Sequence, residues 1–129
     1  MRFMAIDYGE KRVGLASTDE SGSFALPRTV LDNDATLLLK VIRFKEENKI
    51  DKIILGESKN YLGEDNLIQK KILEFKTELE QKGAEVLMHP EILTTMEARQ
   101  IQGQTDMTDA SAAALILKSF LETMYNKDL

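Results

Sequence analysis

A chain of 129 residues with 43% apolar content, no cysteine and a formal charge of −5 can bury one hydrophobic core, and it excludes disulfides, zinc–thiolate sites and thiol catalysis. Charged residues make up 30%, as in folded globular proteins, and neither a basic leader nor an apolar run of membrane-spanning length occurs, so a single cytoplasmic domain over residues 1–129 is expected. The pI near 5.0 gives no bulk attraction to nucleic acid, so any phosphate-binding face must be local.

Phe3, Met4, Ala5 and Ile6 form a short apolar run that ends in Asp7, with Gly9 two residues later. Val13, Leu15 and Ser17 then alternate with Arg12, Gly14 and Ala16. The pattern reads as strand, tight turn, strand, with a carboxylate at the C-terminal end of the first strand. A run so free of charge belongs inside a sheet, because edge strands carry more charge. Asp7 would then stand where a sheet delivers side chains into a crevice. Asp-x-Gly is equally an ordinary turn opening, so this stretch alone leaves Asp7 with two readings.

Asp19 to Ser23 is a polar turn, and Phe24 to Leu31 resumes an extended pattern in which Pro27 predicts an edge strand or a bulge. Asp32-Asn33-Asp34 is expected to cap a helix from about Ala35 to Asn48, with Leu37, Leu38, Val41, Ile42 and Phe44 on one side. Lys49 to Gly56 reads as a second buried strand, closed by Glu57 and Ser58. After a loop containing Gly63, Ile68, Ile72, Phe75 and Leu79 predict a helix from about Glu64 to Lys82, stopped by Gly83. Ala84 to Met88 is a third short strand, followed by His89, Pro90 and Glu91. Thr94 or Thr95 opens a further helix with Glu97 in its first turn, Gly103 to Thr108 is a loop, and the last helix runs from about Asp109 to Tyr125. The order β-β-β-α-β-α-β-α-α implies an α/β fold: one mixed five-stranded sheet, antiparallel at first and then parallel, with helices on both faces.

The acidic residues fall at ends of elements. Asp7 ends the first strand, Glu91 follows the strand at 84–88, and Asp109 opens the last helix on the stripe shared by Ala113, Ile116 and Phe120. Asp109 also fits a helix cap or a dipole-favoured first-turn charge, and Glu57 fits a loop glutamate as well as a fourth site residue. Carboxylates gathered at one rim repel one another unless a divalent cation lies between them, and Mg²⁺ or Mn²⁺ suits an oxygen-only set. Two such ions support phosphodiester hydrolysis without cysteine or a catalytic histidine. Lys11 and Arg12 beside Asp7, and with less reason Lys59 and Asn60, are candidates to hold a phosphate. His89, Arg99 and Lys118 read as incidental, and the methionines as core filling.

Asp7-Tyr-Gly-Glu-Lys-Arg-Val-Gly-Leu-Ala-Ser17 resembles the opening D-x-G-x-K-R-[VI]-G-x-A motif of the YqgF (RuvX) family of Holliday-junction-resolvase-like proteins. Asp109 to Leu121 resembles that family's closing D-x-x-A-A-x-x-I-L-x-[ST]-[YF]-L motif, and weaker similarities lie at Gly56, Asn60 and Gly63 and at Glu91 to Ala98. The resemblance implies a ribonuclease H-like fold and a metal-dependent nuclease with Asp7, Glu91 and Asp109 as its acidic triad. It also implies maturation of the 5′ end of pre-16S ribosomal RNA, or resolution of branched DNA, as the setting. The chain departs from the family at Pro90 and Ile92, which replace an Asp and an Arg around Glu91. Glu57 and Ser58 replace Leu-Pro, adding a carboxylate where related resolvases place theirs. The loop at 103–108 is short and lacks the family's Lys and Arg, removing phosphate contacts. Three functions follow: a nuclease on structured RNA or DNA, a nuclease-like binding module acting through a ribosomal or protein partner, and a nucleotide-phosphate site. A junction resolvase would need a dimer; otherwise the expectation is a monomer or a homodimer.

Overall fold

The structure, a computed structural model, describes residues 1–57, 67–90 and 108–126, with positions 108, 109 and 126 described by backbone alone. The strands are β1 (Phe3–Tyr8), β2 (Arg12–Thr18), β3 (Ala25–Asp32), β4 (Lys52–Glu57) and β5 (Val86–Pro90), and the helices are α1 (Leu37–Glu47), α2 (Leu67–Gln81) and α3 (Thr108–Asn126). They build one sheet in the order β3-β2-β1-β4-β5, so the charge-free run at the N-terminus is its central strand. β1 pairs antiparallel with β2 and parallel with β4; β2–β3 is antiparallel and β4–β5 parallel. This is the mixed α/β sheet expected, with β3 at an edge and a register irregularity opposite Pro27, where a ring without an N–H cannot continue the ladder.

Strand alternation divides the core in two. Met4, Ile6, Val13, Leu15, Ile53 and Leu55 pack beneath α1 and α2, while Phe3, Ala5, Ala16 and Ile54 pack beneath α3 with Ala113, Ile116, Leu117 and Leu121. Small residues at Ala5, Ala16 and Ala113 let α3 approach the sheet closely, and Phe3 meets Phe120 edge-on with ring centroids 5.4 Å apart.

Among the described residues three elements differ from the sequence expectation by more than one residue, each for a local reason. The first helix starts at Leu37 rather than Ala35, because the Asp34 carboxylate accepts from both the Thr36 N–H (2.8 Å) and the Thr36 hydroxyl (2.5 Å), closing a turn ahead of the helix. The fourth strand begins at Lys52 rather than Lys49, because Lys49 stands at φ 53° in the left-handed region and Ile50 N–H still donates to Lys45 O at the helix end. The fifth strand is shifted to Val86–Pro90, because Gly83 at φ 89° turns the chain back and Ala84 N–H donates to Leu79 O at 3.1 Å. The helix expected from Thr94 or Thr95 and the loops at 59–65 and 103–107 lie outside the described residues.

Candidate active site

The site grows from the register of the central strands. Asp7 pairs with Gly14 of β2, and Gly56 of β4 pairs with His89 of β5. The β1–β4 register puts Ile6 opposite Leu55, so the next step sets Asp7 beside Gly56. Gly14, Asp7, Gly56 and His89 therefore form one row across the sheet, on the face that carries α3. Two of the four have no side chain, so the sheet itself leaves space on either side of the carboxylate. Asp7 is only 9% exposed and engaged by neighbouring groups, so its carboxylate sits within the fold rather than on an exposed turn.

Helix α3 brings the second acid to the same end. Phe120 lies over Phe3 near the start of β1, and Tyr125 Oη donates to Gly22 O (2.9 Å) in the β2–β3 turn. The helix thus runs against β1. From Phe120 back to Asp109 is about 16 Å along a helix, and from Phe3 forward to Asp7 is about 13 Å along a strand. The two travel the same way by similar lengths, so the backbone of the first turn of α3 lies toward the end of the sheet at which Asp7 stands. The dipole of the helix adds partial positive charge there.

The other expected site residues distribute unevenly. Arg12 shares the face of Gly14 by alternation, two residues before it at the start of β2, so it lies diagonal to Asp7; its side chain is exposed and engaged. Lys11 is exposed at the hairpin tip. Glu57 alternates with Ile53 and Leu55 toward the α1 and α2 face, opposite the face of Asp7; Gly56, not Glu57, occupies the position beside Asp7. Glu91, Lys59 and Asn60 lie outside the described residues. Among the described residues no group of three metal-ligating side chains gathers.

Two features were not anticipated from the sequence. Asn33, read there as part of a helix-capping cluster, instead clamps the β1–β2 tip: its side-chain Nδ2–H donates to Gly9 O (2.8 Å) and its backbone N–H to Lys11 O (2.9 Å). Asp-Asn-Asp is a common turn composition, so only the adjacency of the β3–α1 junction to the hairpin tip reveals this role. His89 Nε2 lies 2.9 Å from Ser119 Oγ, and its ring stands edge-on to Phe120 at 5.9 Å, tying the end of β5 to α3. Burial pulls the His89 pKa below its ordinary value, with the nearby Glu57 charge opposing this in part.

Known proteins share this fold and sequence. A family described as "RuvX: Holliday junction resolvase" matches residues 1–123. A protein of Syntrophus aciditrophicus named "Putative pre-16S rRNA nuclease" is 31% identical, the match covering 96% of this chain and 90% of the relative. A relative of the same name in Clostridium tetani is 32% identical over 98% of this chain and 100% of its own length. Among solved structures, T. thermophilus RuvC in complex with Holliday junction substrate superposes with a TM-score of 0.62 at 16% identity, covering 97% of this chain and 96% of that one. The Fowlpox virus resolvase with Holliday junction DNA gives 0.58 at 15% identity, covering 96% and 99%. At such identities the likeness establishes the fold, a ribonuclease H-like α/β domain.

Proposed function

The chain belongs to the RuvX family, and on that premise we propose that it is a divalent-metal-dependent nuclease, a hydrolase of phosphodiester bonds in structured nucleic acid, acting on the 5′ end of pre-16S ribosomal RNA. The reading is supported by the mostly buried Asp7 at the end of the central strand and by the direction of α3, whose N-terminal turn, which carries Asp109 in sequence, lies toward that end of the sheet. The substrate is suggested by the name that the full-length relatives carry; the resolvase neighbours make a four-way DNA junction the alternative.

The donor set fits a hard cation. Asp7 and Asp109 offer only carboxylate oxygens, the row of glycines leaves room beside Asp7, and Mg²⁺ or Mn²⁺ takes such ligands. We assign Asp7 and Asp109 as ligands, completed by Glu91. Glu57 is left out of the set because alternation turns it to the other face. The chemistry such an ion supplies is activation of water and neutralisation of charge on the scissile phosphate. Arg12 lies diagonal to Asp7 on the same face and Lys11 extends from the hairpin tip, so the pair would hold and orient a substrate phosphate. Asn33 fixes the tip on which both stand. His89 sits neutral against Ser119 and anchors the strand end two residues before Glu91.

A second reading has its own support. The net charge of −5 and the loss of basic residues at 103–108 weaken a grip on nucleic acid, as in a nuclease-like module working through a ribosomal partner. The deciding experiment is a cleavage panel with Mn²⁺ or Mg²⁺: a pre-16S leader, single-stranded RNA and a four-way DNA junction, each beside Asp7→Asn. Metal-dependent cutting of the leader that is lost in the variant supports the proposal. Cutting of the junction alone selects the resolvase, and no cutting by the folded protein selects the binding module.

A further inference from the structure

On the face of the sheet opposite α3, the hairpin tip, the start of α1 and the middle of α2 enclose a groove of about 560 Å³, within the size range of ligand sites. Its floor carries a smaller apolar part: Tyr8 packs on the buried Phe75 with ring centroids 5.2 Å apart, and Leu38 lies on the α1 side over the buried Leu37. Its rim is acidic, with Glu10, Asp34, Glu74 and Glu78 against one cation, Lys71. Asp34 is occupied by Thr36, but among the described residues no ion pair engages Glu10, Glu74 or Glu78. Glu74 and Glu78 are one turn apart on α2, a spacing at which like charges repel, with Lys70 and Lys71 one turn before Glu74 as the nearby cations of the helix.

We infer that this groove docks a basic segment of a protein partner, a short stretch in which Arg or Lys alternates with apolar side chains. The charge of the rim selects the occupant. Phosphates are repelled by four carboxylates, so nucleic acid is directed to the other face, whereas guanidinium or ammonium groups gain from each of them. The floor adds a second requirement that a free polyamine does not meet, because covering the half-buried Tyr8 and Leu38 takes an apolar side chain. Tyr8 follows Asp7 along β1, and Asn33, which holds the hairpin tip, also lines the groove. An occupant therefore touches the back of the hairpin whose front bears Asp7; this coupling, unlike the docking, rests on the nuclease reading.

The test is fluorescence anisotropy with a labelled twelve-residue peptide alternating Arg and Leu. Beside it run the same peptide with citrulline for every Arg, spermidine as competitor, and a labelled single-stranded RNA. The peptide is expected to bind the wild-type protein and the citrulline peptide to fail. Glu74→Gln with Glu78→Gln should weaken binding about ten-fold, the scale of two exposed charge contacts. Leu38→Ala should weaken the peptide and leave spermidine unaffected. Thermal unfolding of the Gln pair should stay close to that of the wild type, since exposed helix-surface charges contribute little to stability. Any one of four results overturns the inference: no peptide binding, equal binding of the citrulline peptide, binding unchanged in the Gln pair, or complete displacement by spermidine at matched charge. RNA binding that is lost in the Gln pair overturns it as well. Cleavage is measured separately, so a protein that binds the peptide but cuts nothing keeps the docking surface and loses the nuclease.

Discussion

Asn33 donates its side-chain Nδ2–H to the carbonyl of Gly9 at 2.8 Å, across 24 residues of sequence, and so fastens the β3–α1 junction to the hairpin that carries Asp7. The carbonyl of Lys11, on the other side of the tip, is held by the same residue through its backbone N–H. Glycine is required at position 9 for a packing reason: a Cβ there would lie 2.5 Å from the Arg12 carbonyl oxygen.

Asn33→Ala removes one half-buried hydrogen bond and leaves the Gly9 carbonyl to water. The expected loss in urea denaturation is about 1 kcal/mol. Asn33→Asp should lose more, because an acceptor then faces an acceptor. Gly9→Ala forces the Arg12 peptide to move and should lower cleavage more than it lowers stability. Comparing denaturation midpoints with rates of leader cleavage separates the two effects.

Asp7→Asn keeps the shape of the side chain and removes its charge. Under the proposed function cleavage falls at least about 100-fold, the scale of losing one principal electrostatic contact at the reacting group. Mn²⁺ affinity measured by calorimetry falls with it. Asp7 is mostly buried and engaged by neighbouring groups, so a modest fall in melting temperature is expected beside the loss of cleavage. A clear drop in melting temperature with cleavage intact would make Asp7 a structural turn residue.

The packing of α3 sets where Asp109 stands. Ile116 is fully buried against the sheet, and Ile116→Ala should cost about 2–5 kcal/mol. Lys118, exposed on the same helix, should tolerate Ala within about 0.5 kcal/mol. Loss of cleavage in the first variant under conditions where it remains folded would report displacement of the helix tip.

His89 gives the chain a pH dependence of definite sign. Its folded pKa lies below the ordinary 6.5, chiefly through burial, so the unfolded chain binds a proton that the folded one does not. This contribution to stability is fully present above pH 6.5 and is lost as pH falls from there through the lowered folded value. His89→Gln should flatten the stability profile across that window in denaturant titrations at pH 7.5, 6.5 and 5.5. It should leave the acid limb set by carboxylates such as Asp19 and Asp34, whose pKa values are lowered by hydrogen bonds, to appear at lower pH.

Local chemistry is why so much of this molecule is legible in its residues alone. A four-residue apolar run at the N-terminus marks the central strand, Pro27 marks the edge, and the period of Ile68, Ile72, Phe75 and Leu79 marks the face of α2, because alternation and helical spacing are properties of neighbouring residues. Element ends were less legible, since the Asp34 turn, the left-handed Lys49 and the Gly83 stop each shift a boundary by a few residues through contacts of single atoms.

What the sequence by itself determined is the set of strands and helices among the described residues, their α/β order and the placing of Asp7 and Asp109 at element ends. Tertiary structure alone decided which ends meet. Glu57 follows a buried strand just as Asp7 ends one, yet one residue of register turns it to the opposite face, because side chains in a strand alternate with a period of two. Asn33 gained its partners, Gly9 and Lys11, only when the third strand folded back beside the first two. The acidic groove behind the hairpin exists only because α1 and α2 pack side by side on that face. Pairings across many residues are chosen by how much apolar surface they bury together, and that sum belongs to the folded whole rather than to any one stretch of it.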